Sequence, residues 1–375
     1  MNNKVILPLA SQINIAISDK QISFLLDKLQ KISYLEGKIE NQGLDIAPNV
    51  LAISLLEREG IDSSIIEGTQ TNHEEMYYDI SEGINDKYSW EVRNLINLYK
   101  SSFRDFNDEI MDFTIEDLQA LHRDLYKRDI DNFETTYDPI EVIKSVKPGK
   151  IIVNDSKPNW IGPVGKGIEQ ASLILLKPSQ KKKYLEDLFE LVRSNKGVKS
   201  LSTVIIFHPI FESIHPFADG NGRIGRLMLV NLFKYLKLTN YNWIFISDFW
   251  KNNKEEYIRE LRKVQTTNSW NDWICFFVKS LSETVDMVYN KLNSILDLFI
   301  GYSRNNLSQA EKLLLKHFFK YPILNKAKTI AYLKEKNGIA NATAYRAFDK
   351  ITNLLNVSND GNVYRFKKMI DILSS

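Results

Sequence analysis

Between residues 215 and 226 the chain reads His215-Pro216-Phe217-Ala218-Asp219-Gly220-Asn221-Gly222-Arg223-Ile224-Gly225-Arg226. These residue types describe anion chemistry. Gly220 and Gly222 permit backbone conformations with positive φ. Successive N–H groups can then converge on one concavity, and the helix that follows adds its positive end, which makes a nest suited to phosphate. Arg223 and Arg226 are three apart at the start of that helix and share a face. Two guanidiniums beside a nest fit a di- or triphosphate. Asp219 offers a hard oxygen, which suits Mg²⁺ shared with phosphate oxygens. His215 lies at the rim, and an imidazole there suits a general base. Together these groups describe a phosphoryl- or nucleotidyl-transfer site.

Other readings of the same residues exist. A lone histidine is usually structural, a lone GxG is usually a turn, and an arginine pair is usually a solvated face. His208, Glu212 and His215 are spaced i, i+4, i+7 and could hold zinc on one helical face. Pro209 disturbs that face, and zinc leaves the glycines and arginines unexplained.

The elements that must position this segment are helical. The chain has 375 residues with only 16 glycines and 10 prolines, and a 3.6-residue apolar rhythm recurs. Helices are expected over Gln21–Leu35, Val50–Glu59, Glu75–Tyr99, Ile115–Tyr126, Tyr184–Arg193, Val198–Phe217, Leu227–Leu236, Lys254–Gln265 and Trp270–Phe299. Gly60-Ile61-Asp62 is expected to interrupt, with Asp62 or Ser63 capping a short helix after it. Pro209 should kink or start a helix. The stretch from Tyr137 to Gly167 holds Pro139, Pro148, Pro158 and Pro163 and the β-like run Ile151-Ile152-Val153, so it reads as a loop with a short hairpin. Gly301 to Asn306 is the best linker. Beyond it, residues 308–375 carry 12 Lys+Arg against 5 Asp+Glu. That tail reads as helices Gln309–Phe319, Lys326–Lys336 and Ala342–Leu354, then strands Asn356–Ser358 and Val363–Phe366 about the turn Asn359–Asn362. Three helices and a hairpin make a winged-helix shape.

Composition excludes several classes. The net charge is only +2, which disfavours coating of nucleic acid by charge alone. Cys275 is the single cysteine, so an intrachain disulfide and a cysteine-based zinc site are ruled out. No uninterrupted apolar run is long enough for a membrane-spanning helix, and Val5–Ala10 is too short for a secretory signal. No membrane association is expected, and a reducing, cytoplasmic setting is.

The segment 215–226 resembles the Fic family signature HPFx(D/E)GNGRxxR and matches it at all nine specified positions. Ser63-Ser64-Ile65-Ile66-Glu67-Gly68 resembles the family's (S/T)xxxE(G/N) inhibitory motif, in the class whose inhibitory helix precedes the Fic domain. Pro148-Gly149 and Asn159-Trp160-Ile161-Gly162 resemble its flap. The winged helix is a common appendage of the family. The resemblance implies a mainly α fold: an all-helical Fic core with a small β-hairpin flap, an N-terminal helical region and a C-terminal winged helix. The corresponding boundaries are 1–100 with the inhibitory motif at 63–68, 101–300 with the flap near 148–162, and 301–375.

The implied activity is transfer of AMP from ATP to a Ser, Thr or Tyr hydroxyl of a target protein or of the chain itself. By that resemblance His215 is the base and Asp219 holds Mg²⁺. Gly220, Asn221 and Gly222 cradle the phosphates, Arg223 and Arg226 bind the β and γ groups, and Ile224 and Gly225 complete the nucleotide-binding segment. Asn253 and Tyr257, with Leu261, fall where relatives line the adenine pocket. Glu67, reaching Arg226, would take the γ-phosphate's place. A homodimer is plausible by family analogy. Two departures concern the flap: Lys150-Ile151-Ile152-Val153 stands where relatives often carry an aromatic and an arginine, and the proline pair after it is reduced to Leu176-Lys177-Pro178. Ile152 or Val153 could still clamp a target. Some relatives transfer UMP, phosphocholine or phosphate, and some remove AMP.

The alternative from another class is a DNA-binding regulator. Thr343, Tyr345, Arg346 and Lys350 lie on the candidate recognition helix, and Arg365, Lys367 and Lys368 on or after the wing.

Overall fold

The computed structural model describes residues 3–41, 48–70, 72–82, 89–104, 114–127, 146–156, 159–162, 168–195 and 199–375. Pro139, Pro158 and Pro163 of the expected loop lie outside these. In chain order the helices are α1 (Asp19–Glu40), α2 (Pro48–Ile66), α3 (His73–Glu82), α4 (Ser89–Arg104) and α5 (Ile115–Leu125), then α6 (Lys181–Ser194), α7 (Lys199–Ile214), α8 (Asn221–Tyr235), α9 (Ser247–Asn252), α10 (Lys254–Thr267) and α11 (Asn271–Ser303), and finally α12 (Gln309–Lys320), α13 (Lys326–Asn337), α14 (Asn341–Leu355) and α15 (Lys367–Ser374). The strands are β1 (Trp160–Ile161), β2 (Leu173–Ile174), β3 (Ile323–Asn325), β4 (Ser358–Asp360) and β5 (Val363–Arg365). The expected mainly helical class is the one that forms. Among the described residues, no helix is long and apolar enough to cross a membrane.

The core centres on α7 and α8. Phe207, Phe211 and Ile214 from one, and Leu227, Leu232 and Phe233 from the other, are fully buried. Gly225 lets the two helices approach, since a Cβ there would lie 2.9 Å from Phe211 Cδ1. Pro209 neither starts nor ends a helix; it sits inside α7. A proline at 209 cannot donate to the carbonyl four residues back. That carbonyl, on Ile205, instead accepts from the Trp273 indole Nε1 at 2.8 Å.

The expected interruption at Gly60-Ile61-Asp62 does not occur, and α2 runs through it. Gly60 marks a close crossing: a Cβ there would come within 2.8 Å of Ile96 Cγ1 on α4. The helix ends instead at Ile66, and the chain turns away at Gly68, where φ is +99° and Gly68 N–H bonds Ile65 O while Thr69 N–H bonds Ser64 O. This is the left-handed stop that glycine makes cheaply. The predicted start of α5 holds, with Thr114 and Asp117 forming a capping box.

The run Ile151–Val153 is not a strand. Ile152 N–H donates to Pro216 O at 2.9 Å instead. The small antiparallel sheet pairs β1 with β2, Trp160 opposite Ile174 and Ile161 opposite Leu173. Lys4 adds a parallel bridge to Ile174.

At the C-terminus, α12 to α14 are followed by a hairpin that closes at Gly361, where φ is +56°. The strands lie at β4 and β5, offset from the expected ranges, and β3 joins them in the order β3-β5-β4. Neither β3 nor α15 was expected from sequence. The first half of the proposed linker is helical: Gly301–Ser303 form the last turn of α11, because Tyr302 packs edge-on against Phe366. The C-terminal unit sits directly on α2. Ser54 Oγ donates to Lys320 O at 3.1 Å, and Arg58 donates to Leu373 O.

Candidate active site

The segment 215–226 is the turn from α7 into α8. His215 has φ +48°, a left-handed conformation that costs a non-glycine residue about 1–2 kcal/mol. Its N–H still bonds Phe211 O at 3.0 Å, and its carbonyl accepts from Lys181 Nζ at 2.5 Å. Lys181 is fully buried, which pushes its pKa down to about 7. Asn221 clasps the turn from both sides. Its Oδ1 accepts from Phe217 N–H and its Nδ2 donates to Phe217 O, each at 2.9 Å. The Asn221 side chain therefore holds the loop closed.

Gly220 has φ +76° and caps α8. Gly222 does not take positive φ, contrary to expectation; it lies in the first turn of α8. What matters at Gly222 is the missing side chain. A Cβ there would sit 2.0 Å from Glu67 Oε1 and 2.9 Å from Arg226 Nη1.

The Arg226 guanidinium is fully buried. Its Nε donates to Ser63 Oγ at 2.8 Å, and its Nη2 to Ser63 O at 2.8 Å and Glu67 Oε1 at 2.6 Å. Burial opposes its charge, but Glu67 foremost, with Tyr257 and Glu212, carries its pKa upward. Nη1 has no hydrogen-bond partner although it is buried. Such an orphaned donor is rare and fits an incoming anion. Arg223 donates to Glu91 and to Tyr126 Oη at 2.7 Å, and its Nε is likewise buried without a partner.

Asp219 reaches the solvent with a side chain 58% exposed. Tyr126 Oη donates to its Oδ2 at 2.9 Å and Gly220 N–H to its Oδ1 at 2.7 Å. Partial burial works against its charge, but Arg223, then Gly220 N–H and Tyr126, hold its pKa below the usual carboxylate range.

Two elements orient these groups. On α5, His122 stacks on Phe217 with ring centroids 3.8 Å apart. Its Nδ1 accepts from Gly149 N–H at 2.7 Å, so its Nε2 donates to Asp219 O at 3.0 Å. Burial pushes its pKa down to about 4, so both bonds are made by a neutral ring. On α2, Glu59 takes Ser247 N–H at 2.9 Å and Ser247 Oγ at 2.5 Å. Asp62 takes Lys251 Nζ at 2.5 Å. Lys254 Nζ caps Ile66 O at 2.6 Å. These ties to α9 and the start of α10 fix the register of α2 and deliver Ser63 and Glu67 to Arg226.

Other expected site residues are arranged differently. The Ile224 side chain is fully buried in the core, and its N–H bonds Gly220 O within the helix. Gly225 serves the α7–α8 crossing. Asn253 ends α9 and donates to Phe249 O at 2.9 Å. Tyr257 is buried against Trp250, with ring centroids 4.8 Å apart, and its hydroxyl meets His208 Nε2 at 2.9 Å. The zinc reading finds no support among the described residues, where no group of three or more His, Cys, Asp or Glu could hold a metal. On α14, Tyr345 is exposed, but Lys350 is paired with Glu311 at 2.7 Å, and Arg365 lies 3.6 Å from Glu74. Sequence reasoning did not find His122, Tyr126, Glu91 or Lys181; Tyr126 and His122 share a face of a helix whose start was legible, and only their spacing hinted at them.

Residues 112–233, the stretch from α5 to α8, match the Fic/DOC family model. Over 74 residues, 20% of this chain, it is 38% identical to a probable protein adenylyltransferase of Aquifex aeolicus (strain VF5), and that match covers 21% of the relative. The chain thus spans about a fifth of the length of the curated relative it matches. A crystal structure of a Fic family protein from Desulfovibrio desulfuricans G20 is similar with a TM-score of 0.52 at 16% identity, over 94% of this chain and 98% of that one. This is a likeness of fold. A Fic domain containing signaling protein from Bacteroides thetaiotaomicron VPI-5482 gives a TM-score of 0.49 at 16% identity, over 73% of this chain and 97% of its own.

Proposed function

We propose that the chain is a protein adenylyltransferase, held inactive by Glu67. The observation that carries this reading is the position of the Glu67 carboxylate. It is bonded to Arg226 at 2.6 Å and lies over the bare Cα of Gly222. A built-in anion thus sits where the loop offers room and donors for one. The two orphaned arginine nitrogens fit phosphate oxygens in its place. The relative named a probable protein adenylyltransferase supports the choice of reaction.

In this reaction His215 takes the proton of a Ser, Thr or Tyr hydroxyl on a target protein or on the chain itself. The oxygen attacks the α-phosphorus of ATP, the bond to the bridging oxygen breaks, and pyrophosphate leaves. Asp219 fits the role of Mg²⁺ ligand, being charged, oriented and solvent-facing. Mg²⁺ there would neutralise charge on the departing pyrophosphate. Arg223 and Arg226 bind the β and γ groups. Exposed Val153, next to the loop, is the flap residue we assign to the target. We read the C-terminal helices and hairpin as a winged helix. Internal pairing of Lys350 and Arg365 leads us to rank target or intrachain contacts above DNA for that unit.

The test is incubation of wild type, Glu67→Gly and the Glu67→Gly/His215→Ala double variant with α-³²P-ATP and Mg²⁺. Label on Glu67→Gly that is lost in the double variant supports the reading. No label from any variant that still binds Mg-ATP would replace it with another donor or with AMP removal.

A further inference from the structure

A general base must present an unprotonated nitrogen to its substrate, so the other ring nitrogen has to carry the proton. The backbone of His215 is pinned by its left-handed φ and by Lys181, but neither contact reaches the ring. His215 Nδ1 is buried and has no hydrogen-bond partner. Glu212 Oε2 lies 3.7 Å from it, slightly beyond hydrogen-bond range. Glu212 stands three residues earlier on α7 and is 8% exposed. Its Oε1 is also unpartnered. Burial pushes its pKa up, but His215, His208 and Arg226 together hold it below the ordinary value, so it is a carboxylate. His208 completes the row. Its Nδ1 is buried without a partner, and a Cβ on Gly225 would lie 3.3 Å from both that atom and Glu212 Oε1.

We propose that Glu212 is the positioning residue of His215. Its carboxylate accepts a hydrogen bond from His215 Nδ1–H, which fixes the tautomer with an unprotonated Nε2 and balances the imidazolium formed when Nε2 takes the hydroxyl proton. A shift of under an ångström closes the present gap, and such bonds are often long before substrate binds. The inference rests on the reading of His215 as the base. It also accounts for the i, i+4, i+7 spacing of His208, Glu212 and His215 without a metal. The carboxylate is coupled electrostatically to both imidazoles.

The test has two readouts. ¹⁵N NMR of the full-length protein at mildly alkaline pH reports the tautomer of His215 without nucleotide. Wild type should carry the proton on Nδ1, and Glu212→Gln should shift a measurable fraction to Nε2. In the Glu67→Gly background, Glu212→Gln should lower the single-turnover labelling rate about 10²–10³-fold, with KM for ATP changed less than about threefold. Wild-type His215 protonated on Nε2 overturns the proposal. So does a folded Glu212→Gln protein whose tautomer is unchanged, whatever its rate. Absence of labelling in every variant would refute the adenylyltransferase reading while the tautomer result stood.

Discussion

Removing the Glu67 side chain should open the anion site at little cost to the fold. Arg226 would lose one charge-assisted bond of 2.6 Å and keep its two bonds to Ser63, each 2.8 Å. A charged hydrogen bond contributes about 1.5–3 kcal/mol. The Glu67 side chain is 38% exposed, so solvent screening brings the pair nearer 1–2 kcal/mol. That is the free energy an incoming γ-phosphate must displace, and removing it should tighten Mg-ATP binding about 5–30-fold. A second gain comes from alignment. A phosphate chain displaced by about 1 Å reacts about 10²-fold more slowly, so the single-turnover rate at saturating ATP should rise about 10²-fold in Glu67→Gly. Titration calorimetry reads the first quantity and quenched-flow labelling the second. Folding stability should fall by no more than about 2 kcal/mol, because residue 67 lies beyond the end of α2. A folded Glu67→Gly protein that binds Mg-ATP no tighter and labels no faster would refute the autoinhibition argument at its source.

Ser63→Ala should destabilise the fold by about 1–3 kcal/mol in urea titrations, since it leaves Arg226 Nε buried without an acceptor; a neutral result would mean that Arg226 relaxes elsewhere. Gly222→Ala should weaken Mg-ATP binding at least about tenfold even in the Glu67→Gly background, because the added Cβ still meets Arg226 Nη1 at 2.9 Å; unchanged affinity would show that the phosphates do not pass over this residue. Acid should destabilise the protein through His122 and His208, both pushed from 6.5 to about 4 by burial. The folded pKa values are depressed, so between about pH 6.5 and 4 the unfolded chain binds more protons and stability falls as pH drops, by up to about 3 kcal/mol for each ring. Glu59, whose pKa burial pushes up to about 8, offsets part of this, so the check is an NMR titration of the two rings: protonation of either near pH 6.5 in the folded protein would contradict its buried, neutral state.

The helical class and most helix positions were legible because apolar side chains recur at helical spacing and caps are local. Thr114 with Asp117 is one such cap. Errors arose where a residue's role was tertiary. Gly60 read as a break, yet it admits Ile96 of α4. Pro209 read as a kink or a helix start, yet it lies inside α7, where Trp273, distant in sequence, satisfies the carbonyl it strands. Gly222 read as a positive-φ turn residue, yet its use is the empty space that Glu67 fills. The composition of the 215–226 segment announced anion chemistry, and Ser63 and Glu67 were singled out by motif. The partners that aim those groups were not legible. His122 reaches Asp219 and Gly149 across long stretches of chain, and no local pattern encodes that. Ile224 and Tyr257 are buried among core side chains, a placement that no local pattern announced.

The most direct measurement compares ATP labelled at the α position with ATP labelled at the γ position on Glu67→Gly, with intact-protein mass spectrometry in parallel. Retention of α label alone, a mass increase equal to one adenylyl group, and loss of both in the His215→Ala double variant are the results predicted. Retention of γ label, or incorporation that survives His215→Ala, would contradict the account.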